Sequence, residues 1–337
     1  MSKSLSEGRV FAIEAAKFAA AYAVALIHLA PNTPRAELIT DVVRLFPVPF
    51  FYASAMYFII PKAIQKSTVL GVLNLSRLIR PYAVWTSVYL LLRMIKNGSG
   101  LFSSSLEDWF GFLFLGQSAV HLYFLPLLIY YQIVAAASAL LCSNLVNGKI
   151  HLHAACWITA AMIMSIIAGH IGYFGWSSAF LSALIYTALE AGSKSLNQKI
   201  RRGWFAVVIL ASVLMMGLAL IAAFEVKMPS TYYVFNGPIF GCCALLLLIR
   251  MGKGIPPRWA KRLVNCYFGI YLSHHAIEEC IEVACAKFGH ALTPYDLLPR
   301  LGYAFVAFCG GIIITCLIRL SPRLAFWMLG EKHAEFA

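Results

Sequence analysis

Glu14, Lys17 and His28 lie in one long apolar stretch, VFAIEAAKFAAAYAVALIHLA, over residues 10–30. Ionisable groups inside such a stretch are costly and mark candidate functional positions. Lys17 and His28 are eleven residues apart, close to three helical turns. On a helix they share a face and stand about 16 Å apart along the axis. Glu14 is one turn from Lys17 and can pair with it. Imidazole exchanges a proton near neutral pH, which suits His28 to general-base work. The same three residues also fit a Glu–Lys pair that only steadies a helix bundle, with His28 at an interface.

Three further groups carry chemistry. Arg77 and Arg80 are three apart, just before Pro81, and can face the same way. The guanidinium fork matches phosphate oxygens, although an Arg pair at a membrane boundary is also an ordinary topology anchor. His121 opens the stretch HLYFLPLL. An aromatic membrane belt explains its Tyr123 without function and explains His121 less well. The stretch 264–284 holds Tyr271, His274, His275, Glu278, Glu279 and Glu282. His274 with Glu278, and His275 with Glu279, form one-turn pairs. They read as a hydrogen-bonded cluster lining a water-accessible cavity rather than as a metal site.

The elements that must position these residues are membrane helices. Of 337 residues 61% are hydrophobic and 12% charged, against about a quarter charged in a soluble domain. Spans fall at about 10–30, 42–61, 81–96, 120–142, 154–171, 176–192, 203–224, 233–250, 264–284 and 300–319. Lipid offers the backbone no partner, so spans must satisfy their own hydrogen bonds. The runs are too long and too evenly apolar for barrel strands. The fold class is therefore all-α: a polytopic membrane protein of about ten transmembrane helices, N-in and C-in. A single transmembrane domain over 1–337 is expected, with no separate soluble domain.

The net charge of +13 sorts onto this topology. With the N-terminus inside, 19 of the 27 Lys and Arg fall on the cytoplasmic side, among them Arg77, Arg80, Arg258, Lys261 and Arg319. Seven lie at outer ends: Arg35, Arg44, Arg93, Lys96, Lys227, Lys287 and Arg300. This positive-inside bias accounts for the basic balance, and no nucleic-acid partner is needed. The nine Cys lie almost all in apolar runs and lack zinc-site spacing. They read as small hydrophobes. The first apolar run is too long for the core of a cleaved signal peptide and is expected to stay as the first helix. Between Gly98 and Gln117, Ser105 with Asp108 resembles a helix start. The apolar run Trp109–Leu115 then reads as an interfacial or re-entrant helix, placed to form a lid over an outward-facing site.

Together these stretches resemble the membrane-bound acyltransferase family 3. That family opens with Asp-x-x-Arg and, with ten residues between, His. Here the stretch is EAAKFAAAYAVALIH, with Glu14 for the acid, Lys17 for the Arg and His28 for the His. FFYASA resembles the family's Phe-Phe-x-x-Ser-Gly, with Ser54 kept and Ala55 for Gly. Arg77 and Arg80 match its Arg-x-x-Arg. HLYFL matches His-Leu-Trp-Phe-Leu, with Tyr123 for Trp, and GIYLSH ends at His274. The motifs run in order over almost the whole chain. Lys17 lacks the bidentate fork of Arg, and Ala55 adds bulk.

The resemblance implies O-acyl transfer, most often of acetyl, from cytoplasmic acyl-CoA to a hydroxyl of a surface polysaccharide or lipid-linked glycan. It implies a bacterial inner (cytoplasmic) membrane enzyme with acetyl-CoA as co-substrate and no permanently bound cofactor or metal. His28, Lys17 and Glu14 would be catalytic. Arg77 and Arg80 would hold the acyl-CoA. Ser54, His121, Tyr123, Tyr271, His274 and Glu278 would line the site. The acceptor glycan, a covalent acyl-enzyme and a homo-oligomer all stay open. A proton-coupled transporter, with the intramembrane Glu and His as a relay, and a glycan-exporter subunit are the competing readings. No repeat between the halves supports the transporter.

Overall fold

The computed structural model describes residues 3–29, 33–44, 46–66, 75–97, 105–130, 132–133, 257–288 and 297–331. Every regular element among them is helical, with no strand. Helix α1 is Lys3–His28, α2 Pro34–Arg44, α3 Pro47–Lys66, α4 Ser76–Asn97 and α5 Leu106–Phe114. After residue 257 come α6 Arg258–Val264, α7 Tyr267–Lys287 and α8 Leu297–Arg319. A π-helical turn, Ala325–Leu329, follows. The expected spans 154–171, 176–192, 203–224 and 233–250, and residues 134–142 of the span 120–142, lie outside the described residues.

Among the described residues, two helical stretches are long and apolar enough to cross a bilayer, Phe11–His28 and Leu297–Arg319. The chain is a membrane protein on this ground and on its composition. Helices α4 and α7 have spanning length at 22 and 21 residues, about 33 and 32 Å. Their Arg, His and Glu residues dilute the apolar signal. The expected span 42–61 is broken at 44–47. There α2 ends and α3 begins on Pro47, a residue suited to a first helical turn.

The chain divides into two compact units. One comprises residues 1–20, 38–73 and 131–256, the other 21–37, 74–130 and 257–337. In the first, Lys17 Nζ lies 5.6 Å from the centre of the Phe58 ring. The Ser54 hydroxyl is buried and donates to the Phe51 carbonyl at 2.9 Å. Phe46 stacks on Phe50.

In the second unit α7 and α8 pack through small residues. The buried face of α8 reads Arg300, Ala304, Ala307, Phe308, Gly311, Thr315 and Ile318, a helical stripe. A methyl group at Gly311 would sit 3.0 Å from the Ile270 Cα, and one at Gly269 would meet the Thr315 side chain. Such small residues let membrane helices approach to backbone contact. Helix α5 begins with a complete capping box. Ser105 accepts from the Asp108 amide at 3.2 Å, and the Asp108 carboxylate accepts from the Ser105 amide at 2.8 Å. The expected helix start is therefore present. Phe112 of α5 is buried while Leu106, Phe110, Leu113 and Phe114 are exposed.

Candidate active site

A histidine cluster forms in the second unit from three parts of the chain. His28 ends α1, His121 sits in the turns at 117–123, and His274 and His275 lie in α7. The His28 ring stacks on His274 at 5.7 Å between centroids and 29° between planes. His121 lies edge-on to His274 at 4.7 Å, to His28 at 6.0 Å and to His275 at 5.5 Å. His121 and His274 are fully buried, whereas His28 and His275 are half-buried.

The local chain explains these orientations. His274 Nδ1 is 2.8 Å from the Tyr271 carbonyl and 3.2 Å from the Ile270 carbonyl. Carbonyls only accept, so Nδ1 carries the proton and donates. In the neutral ring Nε2 is then a bare acceptor, and among the described residues it has no hydrogen-bond partner. Neither ring nitrogen of His121 has a partner of ordinary geometry there. The His121 backbone carbonyl accepts from the Tyr271 hydroxyl, which ties the turn to α7. The turn closes at Gly116, whose φ of 72° suits glycine. A methyl there would strike the Leu122–Tyr123 backbone. A buried imidazole with unused nitrogens carries a desolvation cost. A hydroxyl-bearing ligand would offset it here.

Glu278 is buried and its Oε2 is 3.2 Å from His275 Nδ1. Glu279 Oε1 is 3.6 Å from His275 Nε2. Both carboxylates thus turn to His275. The expected His274–Glu278 pair does not form, because His274 spends Nδ1 on its own helix backbone. Toward the end of α7, Glu282 meets Lys96 of α4 at 3.5 Å. No three His, Cys, Asp or Glu side chains among the described residues are arranged to hold a metal ion.

Tyr89 of α4 completes the cluster and was not singled out from the sequence. Its buried hydroxyl donates to the Leu272 carbonyl at 2.8 Å and accepts from the Ala276 amide at 3.1 Å. In a regular helix those two groups pair with each other. The tyrosine therefore enters the α7 ladder at the turn that carries His274 and His275. Its ring lies 5.2 Å from His121. The available signal was the aromatic stripe Tyr82, Trp85, Tyr89 at helical spacing, a pattern that ordinary packing also produces.

Arg77 and Arg80 lie in the first turns of α4, twelve and nine residues before Tyr89, about 18 and 14 Å along the axis. The C-terminal segment packs against them. Arg77 Nε donates to the Gly330 carbonyl at 3.2 Å, and Trp85 Nε1 to the Met328 carbonyl at 3.0 Å. The Arg80 guanidinium lies 3.6 Å above the Phe326 ring and bonds Ser76 through its carbonyl and hydroxyl. Pro81 has no N–H, so the Arg77 carbonyl lacks its helical donor. Gly330, in the left-handed region at φ 67°, rests against that carbonyl.

The structure thus brings together His28, His121, Tyr271 and His274, joins Glu278 to them through His275, and leaves Tyr123 37% exposed beside them in sequence. Glu14, Lys17 and Ser54 belong to the other unit. Lys17 shares the unbroken helix α1 with His28.

A family model described as an acyltransferase domain matches residues 10–320 of the chain. No curated protein and no solved structure matches it.

Proposed function

The chain belongs to acyltransferase family 3, and from that premise we propose that it is a membrane O-acyltransferase. It moves an acyl group, acetyl first among candidates, from acyl-CoA to a hydroxyl of a surface polysaccharide or lipid-linked glycan. The observation that carries this reading is the buried histidine cluster, with His28 stacked on a His274 whose Nδ1 is already committed. Such a site is built to hold and deprotonate a hydroxyl.

In the proposed step, Arg77 and Arg80 bind CoA phosphates at one end of α4, and the pantetheine arm extends toward the cluster. His28 takes the proton from the acceptor hydroxyl. The hydroxyl oxygen forms a bond to the thioester carbonyl carbon, and the carbon–sulfur bond breaks. His28 then returns the proton to the CoA thiolate, so ester and free thiol leave. A Tyr hydroxyl is the candidate to stabilise the oxyanion. His121, Tyr123, Tyr271 and Glu278 line the site. Cytoplasmic acyl-CoA and a bacterial inner-membrane setting belong to the same proposal.

The test is CoA release from radiolabelled acetyl-CoA by purified protein in nanodiscs, with and without a crude surface-glycan fraction. His28→Ala is expected to lower glycan-dependent release by about 10²- to 10⁴-fold, the usual worth of a general base. Wild-type release by folded His28→Ala protein would overturn the base assignment. If the unaltered protein binds and turns over no short acyl-CoA, the acyltransferase reading fails and proton-coupled flux is the next measurement.

A further inference from the structure

Arg300 reads in the sequence as one of the outer-end cations. In the structure it is completely buried. Its NH1 donates to the Ala36 carbonyl at 3.1 Å, and its NH2 to the Leu26 carbonyl at 2.9 Å and to the Leu29 carbonyl. Leu26 and Leu29 flank His28 at the end of α1. The last carbonyls of a helix have no partner within it and carry the negative end of its dipole. A buried cation there completes both requirements. Nearby, the Tyr22 hydroxyl donates to the Leu301 carbonyl at 3.0 Å, and Tyr22 packs edge-on against Phe308.

We propose that Arg300 is a positioning residue that fixes the last turn of α1, and with it the His28 ring, against the histidine cluster. It reaches His28 only through backbone, so it is not catalytic itself. A guanidinium suits the task because its donors spread over a rigid plane and span carbonyls from α1 and the start of α2 together. Lysine keeps the charge but offers donors from a single nitrogen. The role in turnover rests on the acyl-transfer reading, while the role in holding His28 does not.

Two readouts separate these. In Arg300→Lys and Arg300→Gln, reaction of His28 with diethyl pyrocarbonate, mapped by peptide mass spectrometry, is expected to quicken at least threefold while His275 is unchanged. Gly302→Ala on the same helix, where a methyl meets nothing within 4 Å, is expected to match the unaltered protein. The kcat for glycan-dependent CoA release is expected to fall at least tenfold in Arg300→Lys, with the acyl-CoA KM within twofold. Tyr22→Phe removes the neighbouring α1–α8 hydrogen bond and is expected to lower thermal stability with kcat within twofold. Unaltered His28 labelling in folded Arg300→Lys would overturn the proposal whatever the turnover. A fall in kcat that tracks the loss of thermal stability equally in Arg300→Lys and Tyr22→Phe would also overturn it, reducing Arg300 to a structural bond. Should Arg300→Lys not fold, Arg300→Gln carries the same comparison. If the unaltered protein shows no turnover, the labelling result still decides whether Arg300 holds His28.

Discussion

His274 shows how backbone commitments can assign chemistry to a side chain. Two carbonyls of its own helix fix the proton on Nδ1, so Nε2 is the face offered to a ligand. Asparagine places an amide N–H near Nδ1 and nothing at Nε2. His274→Asn is therefore expected to keep folding stability within about 1 kcal/mol, the worth of one hydrogen bond. It should still lose at least tenfold in kcat for glycan-dependent CoA release. His274→Leu removes the donor as well and is expected to lose turnover together with about 1–3 kcal/mol of stability. Thermal melts and steady-state kinetics on both variants check this, and a His274→Asn enzyme with unaltered kcat would confine His274 to structure. The histidines themselves were legible in the sequence, since a membrane span gains nothing from an imidazole it does not use. Their partners were less so. One-turn spacing offers His274 and His275 equally to Glu278, and the choice of His275 follows from the His274 backbone bonds, which spacing does not reveal.

At the scale of elements, the contact between α4 and the C-terminal π-turn decides how Arg77 and Arg80 are presented. Gly330 needs its left-handed φ, and a methyl there would sit 2.9 Å from the Arg77 carbonyl carbon. A non-glycine residue in that conformation costs about 1–2 kcal/mol before any clash. Gly330→Ala is expected to raise the acyl-CoA KM several-fold with little change in kcat, because it displaces the Arg pair without touching the cluster. Arg80→Ala should raise the same KM through loss of the cation itself. Acyl-CoA titrations at saturating glycan measure both, and an unchanged KM in both variants would leave the Arg pair as topology anchors. The long helices were readable from apolar length, and α5 from its Ser105–Asp108 box. The π-turn was not, because the residues it packs against, Arg77, Arg80 and Trp85 on α4, are far away in sequence. The break between α2 and α3 was also missed. Residues 44–47 read RLFP, and Arg44 and Pro47 are the sequence marks of the break.

For the whole molecule, the contacts within the second unit fix which helix ends lie together. Arg77 meets Gly330, and Arg319 holds Glu331 through a 2.7 Å bond, so the start of α4 and the end of α8 share one end. Lys96 meets Glu282 at the last turns of α4 and α7. In the proposed orientation, drawn from the positive-inside bias, the first of these ends faces the cytoplasm, where the proposed acyl-CoA donor would be found. That orientation is testable by site-directed labelling. In intact cells treated with a membrane-impermeant maleimide, Lys96→Cys is expected to be modified at the outer face. Trp327→Cys, exposed beside the Arg pair, is expected to react only after permeabilisation. Peptide mapping separates each new thiol from the native cysteines. The reverse pattern would invert the chain and place the Arg pair away from cytoplasmic CoA. The phosphate-binding role of Arg77 and Arg80 would then fail even if the histidine cluster proved essential. With the expected pattern, the acyl group must travel about 14–18 Å along α4, from the Arg pair to the level of Tyr89, before the hydroxyl is acylated.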